Sequence, residues 1–130
     1  MKILRSIDIE FEVKKALKNY FSVYLRPLPK NYLLPHIEVT AVGGTAENTI
    51  NTFEVTLDAR AKSEAEASEC LRNAIGALKT IAASNTTAIR HIEENASGSW
   101  GSDPVRPDLA MRTARLRITA HKEAVEIKAK

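Results

Sequence analysis

The chain has little of what marks several large classes of protein. It has one cysteine, Cys70, so it cannot form an internal disulfide and does not resemble a disulfide-stabilised extracellular domain. Five glycines and five prolines among 130 residues are too few for a linker-rich or collagen-like chain. No stretch approaches the roughly 18 apolar residues of a membrane span, and the N-terminus lacks the apolar core of a secretory signal. We expect a soluble, cytosolic protein with no membrane partner.

An excess of charge of one sign is also missing. The 19 Lys and Arg against 16 Asp and Glu leave a net charge of +3, and the two signs are interleaved along the chain. A dedicated nucleic-acid binder usually concentrates its cations on one face. With 44% apolar and 27% charged residues, the composition predicts one domain over residues 1–130 around one core.

The residue types that carry catalysis are present but scattered. The three histidines, His36, His91 and His121, have no metal-ligand spacing between them. The only glycine cluster, Gly43-Gly44-Thr45, lacks the ending of a phosphate loop, and we interpret it as a turn between two strands. Cys70 lies beside the apolar stripe of a predicted helix, which is typical of a small packing residue. The sequence predicts no catalytic residue, cofactor or metal, and therefore no enzyme.

Two segments show the spacing of three and four residues that is typical of an amphipathic helix. The first covers residues 8–20, where Asp8 can accept the unpaired amides of the first turn. The second and longer covers residues 63–81, where Ser63 can cap the helix and Glu66 can return the bond. We expect both helices to bury their apolar stripes against a sheet.

Strands are predicted where polar and apolar residues alternate. These segments are residues 21–26, 36–42, 52–60, 88–94 and 110–122, and the prolines after the first make it an edge strand or a linker. The fold class is α+β, a mainly antiparallel sheet of about four to five strands packed against two helices, in the order α-β-β-β-α-β-β. The expected core consists of Val13, Leu17, Ile37, Val39, Phe53, Val55, Leu57, Leu71, Ile75, Leu78, Leu116 and Ile118.

Residues 95–109 show no period and gather Ser, Gly and Pro around the only tryptophan, Trp100. A loop of this length is uncommon in a small domain and is often functional. Trp100 has two interpretations, which the sequence leaves open. It folds back over the core of its own chain, or it anchors in a neighbouring chain, since tryptophan is enriched at interface hot spots.

The last predicted strand carries a row of arginines, Arg112, Arg115 and Arg117, of which Arg115 and Arg117 share one face. The row is either a solvated surface, a partner surface or a contact to a DNA backbone. For the partner surface, carboxylates at the start of the long helix of a neighbouring copy could pair with the arginines. The candidate interface comprises Trp100, Asp103, Arg106, Arg112, Arg115, Arg117, Glu64, Glu66 and Glu69.

The order of these pieces resembles the tail-terminator and tail-completion family of long-tailed bacteriophages and prophages, which are minor tail and head-tail joining proteins. The resemblance covers nearly the whole chain. It depends on a short first helix, a Pro-rich crossing and a series of motifs in order, which are Val39-Thr40-Ala41-Val42-Gly43-Gly44, Phe53-Glu54-Val55-Thr56-Leu57-Asp58-Ala59, Lys62-Ser63-Glu64-Ala65-Glu66-Ala67, Gly98-Ser99-Trp100, Asp103-Pro104 and Arg106-Pro107.

The resemblance implies a structural subunit that forms a closed ring, commonly a hexamer, at the head-proximal end of the tail. The ring would stop polymerisation of the tail tube and join the tail to the head. Its partners would be copies of itself, the tail-tube protein and a head-completion or connector protein, while DNA passing through touches it at most non-specifically. The protein would be assembled in the bacterial cytoplasm and located in the virion tail.

Two alternatives come from other classes of protein. One is a small nucleic-acid-binding module that uses Arg112, Arg115 and Arg117. The other is a small enzyme whose site is assembled from residues too scattered to recognise in the sequence.

Overall fold

Seven strands and two helices make up the part of the chain that the computed structural model describes, which is residues 1–47, 49–101 and 103–130, without the side chains of residues 96–98. They follow one another as β1 (Lys2–Arg5), α1 (Ile9–Leu17), β2 (Val23–Tyr24), β3 (His36–Ala46), β4 (Ile50–Ala61), α2 (Glu64–Ala83), β5 (Ile89–Gly101), β6 (Ala110–His121) and β7 (Glu123–Glu126). This confirms the α+β class.

Five of the strands form one sheet in the order β2-β3-β4-β6-β5. Its pairings are antiparallel except that of β2 with β3, which is parallel. The predicted order of elements recurs from α1 to β6, but β1 and β7 were not predicted. They pair antiparallel as a separate two-stranded ribbon. Each is only four residues long, which is too short for a period to show in the sequence.

Helix α1 begins as predicted and ends earlier. The Asp8 carboxylate accepts a hydrogen bond from the Phe11 amide at 3.2 Å. At the other end, the amides of Tyr20 and Phe21 both donate to the Leu17 carbonyl at 3.0 Å, which closes a tight turn. Tyr20, the last residue of the predicted helix, is 77% exposed. The helix therefore ends at Leu17.

Helix α2 is capped by Ser63, whose hydroxyl oxygen accepts from the Glu66 amide at 3.2 Å. The same hydroxyl donates to Glu66 Oε1 at 3.3 Å. The bond that Glu66 was predicted to return is therefore made with the Ser63 side chain. Cys70 is buried against the core, and this burial raises its pKa to about 11, as expected of a packing residue. No helix in the described ranges is long and apolar enough to cross a membrane.

The prediction that Gly43-Gly44 is a turn is wrong. Strand β3 continues through both glycines to Ala46, with a shift of register between Ala41 and Gly43. Both glycines have positive φ, +147° and +153°, which side chains rarely tolerate. A Cβ atom on Gly44 would clash with the Thr52 carbonyl oxygen of β4. The strand therefore bulges at Val42, the residue skipped in the register just before the glycines, and the turn follows at Glu47, whose amide donates to the Ile50 carbonyl.

The predicted loop over residues 95–109 is wrong in its first half. Strand β5 runs on to Gly101, and its pairing with β6 is irregular after Ile89, after Glu94 and after Ala96. Such irregularities remove the alternation from the sequence while the backbone stays paired. The true loop follows Gly101, and Ser102 in this loop lies outside the described residues.

The core lies between one face of the sheet and the two helices, as shown by the buried side chains that these elements contribute. Across the middle of the sheet, Val39, Leu57 and Ala114 lie in register on this face. All of the predicted core residues are buried except Phe53, which is partly buried against the same cluster. The other face of the sheet carries polar side chains.

We expect Leu78→Ala to lower the free energy of unfolding by about 2–5 kcal/mol, because the side chain is fully buried and truncation leaves a cavity. Urea unfolding would measure this loss as a lower midpoint, provided that the slope of the free energy of unfolding against urea concentration is the same for both proteins. The matched control is Leu33→Ala, since Leu33 is 65% exposed and its truncation should leave the midpoint unchanged. An unchanged midpoint for Leu78→Ala would show that α2 does not cover the sheet.

Candidate functional site

The predicted row of arginines is divided between the two faces of β6, so it is not one surface. Arg112 pairs in register with Ala59 of β4 and lies on the face that packs against α2. Arg115 and Arg117 point to the opposite face, which neither helix of the described chain covers. Successive strand residues alternate between faces, so an even-numbered and an odd-numbered arginine separate here.

Arg117 belongs to a ladder of mixed charge on the open face. Its Nε lies 3.1 Å from Glu54 Oε1 and its Nη1 lies 4.0 Å from Glu93 Oε2, one carboxylate from each neighbouring strand. Asn95 Nδ2 donates to the other oxygen of Glu54 at 2.8 Å. Arg115 is exposed in the adjacent row, opposite Thr56 of β4. The open face is therefore balanced in charge around Arg117.

Trp100 lies on β5, directly opposite Arg112 of β6. The Arg112 guanidinium carbon is 4.6 Å from the centre of the Trp100 ring, within the range of a cation–π contact. The tryptophan is 45% exposed, so it does not belong to the buried core, although it lies on the face of the sheet that packs against the helices. The residue opposite Trp100 on β6 is the cation Arg112 and not an apolar side chain. Anchoring in a neighbouring chain stays a prediction.

A groove of about 430 Å³ lies beside Arg112, between α2 and strands β5 and β6. The buried side chains of Leu71 and Ile75 contribute apolar surface to it. Lys79 on the helix pairs with Glu94 on the strand at 2.7 Å. The groove thus combines an apolar floor with a charged rim, which suits a protein segment better than a small polar molecule.

Asp103, predicted at the interface, is buried and already paired. Its Oδ2 accepts from Arg60 Nε at 2.8 Å. Its Oδ1 accepts from the backbone amides of Val105 and Arg106 at 2.9 and 3.3 Å. Arg60 Nη1 in turn donates to Glu38 Oε1 at 3.1 Å. Asp103 therefore holds the loop after β5 onto the sheet and does not present a free carboxylate.

The pKa of Asp103 is set by opposing effects. Burial of the carboxyl group alone would raise the pKa, but the two backbone amides and the Arg60 guanidinium lower it below its ordinary value. The charged form is therefore the one that the folded protein stabilises. Because the carboxylate is held in these bonds, it is not arranged as a general acid or base.

His36 completes this buried cluster as a neutral ring. Its Nδ1 donates to the Leu33 carbonyl at 2.9 Å, and its Nε2 lies 3.4 Å from Arg60 Nη1. The rings of Tyr24 and Tyr32 pack edge-on against it at 5.2 and 4.7 Å between centroids. Burial lowers the pKa of His36, and the Arg60 charge lowers it further, although the bond to Leu33 opposes the shift. A neutral ring can accept from Arg60.

A cleft of about 910 Å³ opens above this cluster. Its walls come from the Pro-rich crossing after β2, which includes Pro27 and Pro29, and from Pro104 and Val105 in the loop after β5. Sequence reasoning missed the cluster below it. His36, Glu38 and Arg60 all stand on the polar side of alternating strands, but only the register of β3 against β4 brings them together.

Arg106, also predicted at the interface, is exposed and forms two bonds to one carboxylate. Its Nε and Nη2 donate to the two oxygens of Asp108 at 3.0 and 2.8 Å. These bonds raise the pKa of Arg106 and lower the pKa of Asp108. The charge of Arg106 is thus balanced within its own loop.

The three predicted acidic partners, Glu64, Glu66 and Glu69, are exposed in the first turns of α2. They lie in the helix layer, whereas Arg115 and Arg117 lie on the far side of the sheet. The two groups do not meet within one subunit, and their pairing between subunits stays a prediction.

Neither a family model nor a curated protein matches this chain. Of the predicted site residues, the structure brings Trp100 and Arg112 together. It places Asp103 in a separate buried cluster with Arg60. The function is therefore argued from the fold and from these surfaces.

We expect Asp103→Asn to lower the free energy of unfolding near pH 7 by about 2–3 kcal/mol, because Arg60 loses a buried charged partner. The pKa of Asp103 is lower folded than unfolded, so the unfolded chain binds more protons between the two values. The advantage of the natural residue is thus complete above about pH 4 and disappears as the pH falls through the folded pKa.

Chemical unfolding as a function of pH would measure this difference, with Asp108→Asn as the matched control. Asp108 is exposed and its ion pair with Arg106 is screened by water, so its replacement should change unfolding much less than Asp103→Asn does. Equal stability of Asp103→Asn and the natural chain near pH 7, or a gap that widens in acid, would contradict the assignment.

Proposed function

We propose that this chain is a structural assembly subunit of a long-tailed phage or prophage. Copies form a ring, commonly a hexamer in the family that the sequence resembles, at the head-proximal end of the tail. The ring ends polymerisation of the tail tube and joins the tail to the head. The α+β class of the subunit supports the proposal, since the resemblance implies an α+β subunit. No chemical step is part of this function.

The observation that carries the proposal is the ribbon formed by β1 and β7. The two strands pair from Lys2↔Glu126 to Arg5↔Glu123, and no residue of either strand is buried. Its apolar side chains include Leu4, which is 49% exposed, and Val125, which is partly exposed. An isolated two-stranded sheet is at best marginally stable in water. A neighbouring subunit that covers the ribbon would bury its apolar side chains and stabilise it.

The ribbon and Trp100 lie towards opposite ends of the subunit, which suits head-to-tail assembly. The ribbon follows His121 at one end of β6, whereas Gly101, next to Trp100, is paired with Met111 near the other end. A ring built by rotation needs two different, complementary surfaces on each subunit. The two apolar features provide one candidate for each surface.

The nucleic-acid alternative needs Arg112, Arg115 and Arg117 on one face. Arg112 lies on the other face of β6, and Arg117 is already paired with Glu54. A continuous stripe of phosphate-binding cations is therefore missing from this strand, which argues against the nucleic-acid alternative.

We expect Trp100→Ala and the double change Arg115→Glu with Arg117→Glu to give folded subunits that fail to assemble or to cap tails. The three side chains are exposed, so their loss costs contacts between subunits and little of the core. Circular dichroism would report folding, while sedimentation and tail-length microscopy would report assembly. The control is Arg90→Glu, an exposed arginine near the start of β5. Unfolding of the tryptophan variant, or tails of normal length from the arginine variant, would argue against the proposal.

We expect Val125→Asp to leave the melting temperature of the subunit nearly unchanged and to abolish rings. The ribbon contributes no buried residue, so a charge there harms only a contact that another subunit makes. Val105→Asp is the matched control, because Val105 is 83% exposed and lies outside the ribbon. Rings that form normally with Asp at position 125 would show that the ribbon is not an assembly surface.

A further inference from the structure

Gly76 is a glycine that its own chain does not require. It lies in the middle of α2, is exposed, and has a helical backbone without positive φ. A Cβ atom built on it would meet nothing within 4 Å among the described residues. Glycine inside a helix is destabilising relative to alanine. Its small size therefore points to something outside the subunit that approaches the helix closely at this position.

Gly76 lines the groove between α2 and the sheet, together with Leu71, Ile75 and Arg112. Arg72 on the same helix forms no ion pair among the described residues, and neither does Glu69, one turn earlier. Both side chains are exposed. The helix thus displays an unbalanced cation and an unbalanced anion beside an apolar groove.

The spacing of these residues makes the helix complementary to itself. Ala65, Glu69, Arg72 and Gly76 follow one another at intervals of four, three and four, so they form one stripe along the exposed side of α2. An antiparallel copy centred between Glu69 and Arg72 places position 69 opposite position 72. The same alignment places position 65 opposite position 76.

We propose that α2 makes a two-fold contact with α2 of a second copy of this chain. Glu69 of each copy pairs with the partner's Arg72, and the Ala65 methyl group packs on the partner's Gly76. Two small residues facing each other let the helix axes approach closely, and the partner's first helical turn covers the groove. Lys79 is opposite the partner's Lys62 in this alignment. Glu94 binds Lys79 at 2.7 Å, so the repulsion between the two lysines is reduced.

The contact goes beyond the proposed ring and does not depend on it. A two-fold contact joins two subunits and stops there, whereas a ring needs head-to-tail contacts that continue around an axis. The pair is therefore a form that the isolated subunit adopts without tail components. The ribbon and Trp100 take no part in it.

Sedimentation velocity of the full chain over a range of concentrations tests the contact. The natural chain should show a monomer–dimer equilibrium that weakens as salt is added. Glu69→Arg and Arg72→Glu should each raise the dimer Kd by about tenfold or more, because each variant brings like charges together twice. An equimolar mixture of the two variants should dimerise again, since both pairs then have opposite signs. The double variant, Glu69→Arg with Arg72→Glu, should also recover.

Gly76→Leu tests the close approach separately. The new side chain enters open space, so the variant should fold with a melting temperature no lower than that of the natural chain, yet remain monomeric. Lys18→Leu adds the same exposed side chain at the C-cap of α1 and should dimerise normally. A natural chain that stays monomeric at all concentrations, or Gly76→Leu and single charge variants that dimerise as well as it does, would overturn the proposal.

Failure of this contact is distinguishable from failure of the ring. If the isolated natural chain sediments only as a ring-sized particle, without a dimer, and Arg72→Glu and Gly76→Leu leave that particle unchanged, the two-fold contact is overturned and the proposed function is supported. Dimers that the variants abolish, from a chain that never caps tails, would do the reverse.

Discussion

The pairing of β4 with β6 is the constraint on which the rest of this structure depends. It runs from Ile50↔His121 to Ala61↔Ala110 without a shift of register. A slip of one residue would exchange the two faces of a strand, turning buried leucine and isoleucine outwards and arginine inwards. This one ladder therefore decides that Leu116 packs under the helices, that Arg117 faces Glu54, and that Arg112 joins Trp100 on the helix side.

A second determinant is the buried Arg60 at one end of the same ladder. It joins Glu38 of β3 and Asp103 of the loop after β5, with neutral His36 beside it. Taking charges out of water is costly unless each is paired and hydrogen-bonded, which holds for both carboxylates here. Since the network joins segments far apart in the chain, it fixes the loops that form the walls of the large cleft.

Much of this fold could be predicted from periodicity, because α1, α2, β4 and β6 each keep one face buried along their length. The predicted bounds of helix α2 and strand β6 are accordingly within two residues of those in the structure. Three features broke the pattern. Gly43 and Gly44 look like a turn but continue strand β3 after a bulge at Val42. The irregular pairing of β5 hides a strand in a Gly- and Ser-rich segment, and the ribbon strands are too short to show a period. The site was harder to predict than the fold. The cluster around Arg60 depends on the register between strands, which cannot be deduced from a single sequence.

In the proposed function, the surfaces of this subunit matter more than any internal site. The decisive test is electron microscopy of tails assembled in the presence of a tagged copy. We expect a ring of label at the head-proximal end of each tail and tubes of uniform length. Label spread along the tube, or tails of the same length distribution with and without the protein, would contradict it.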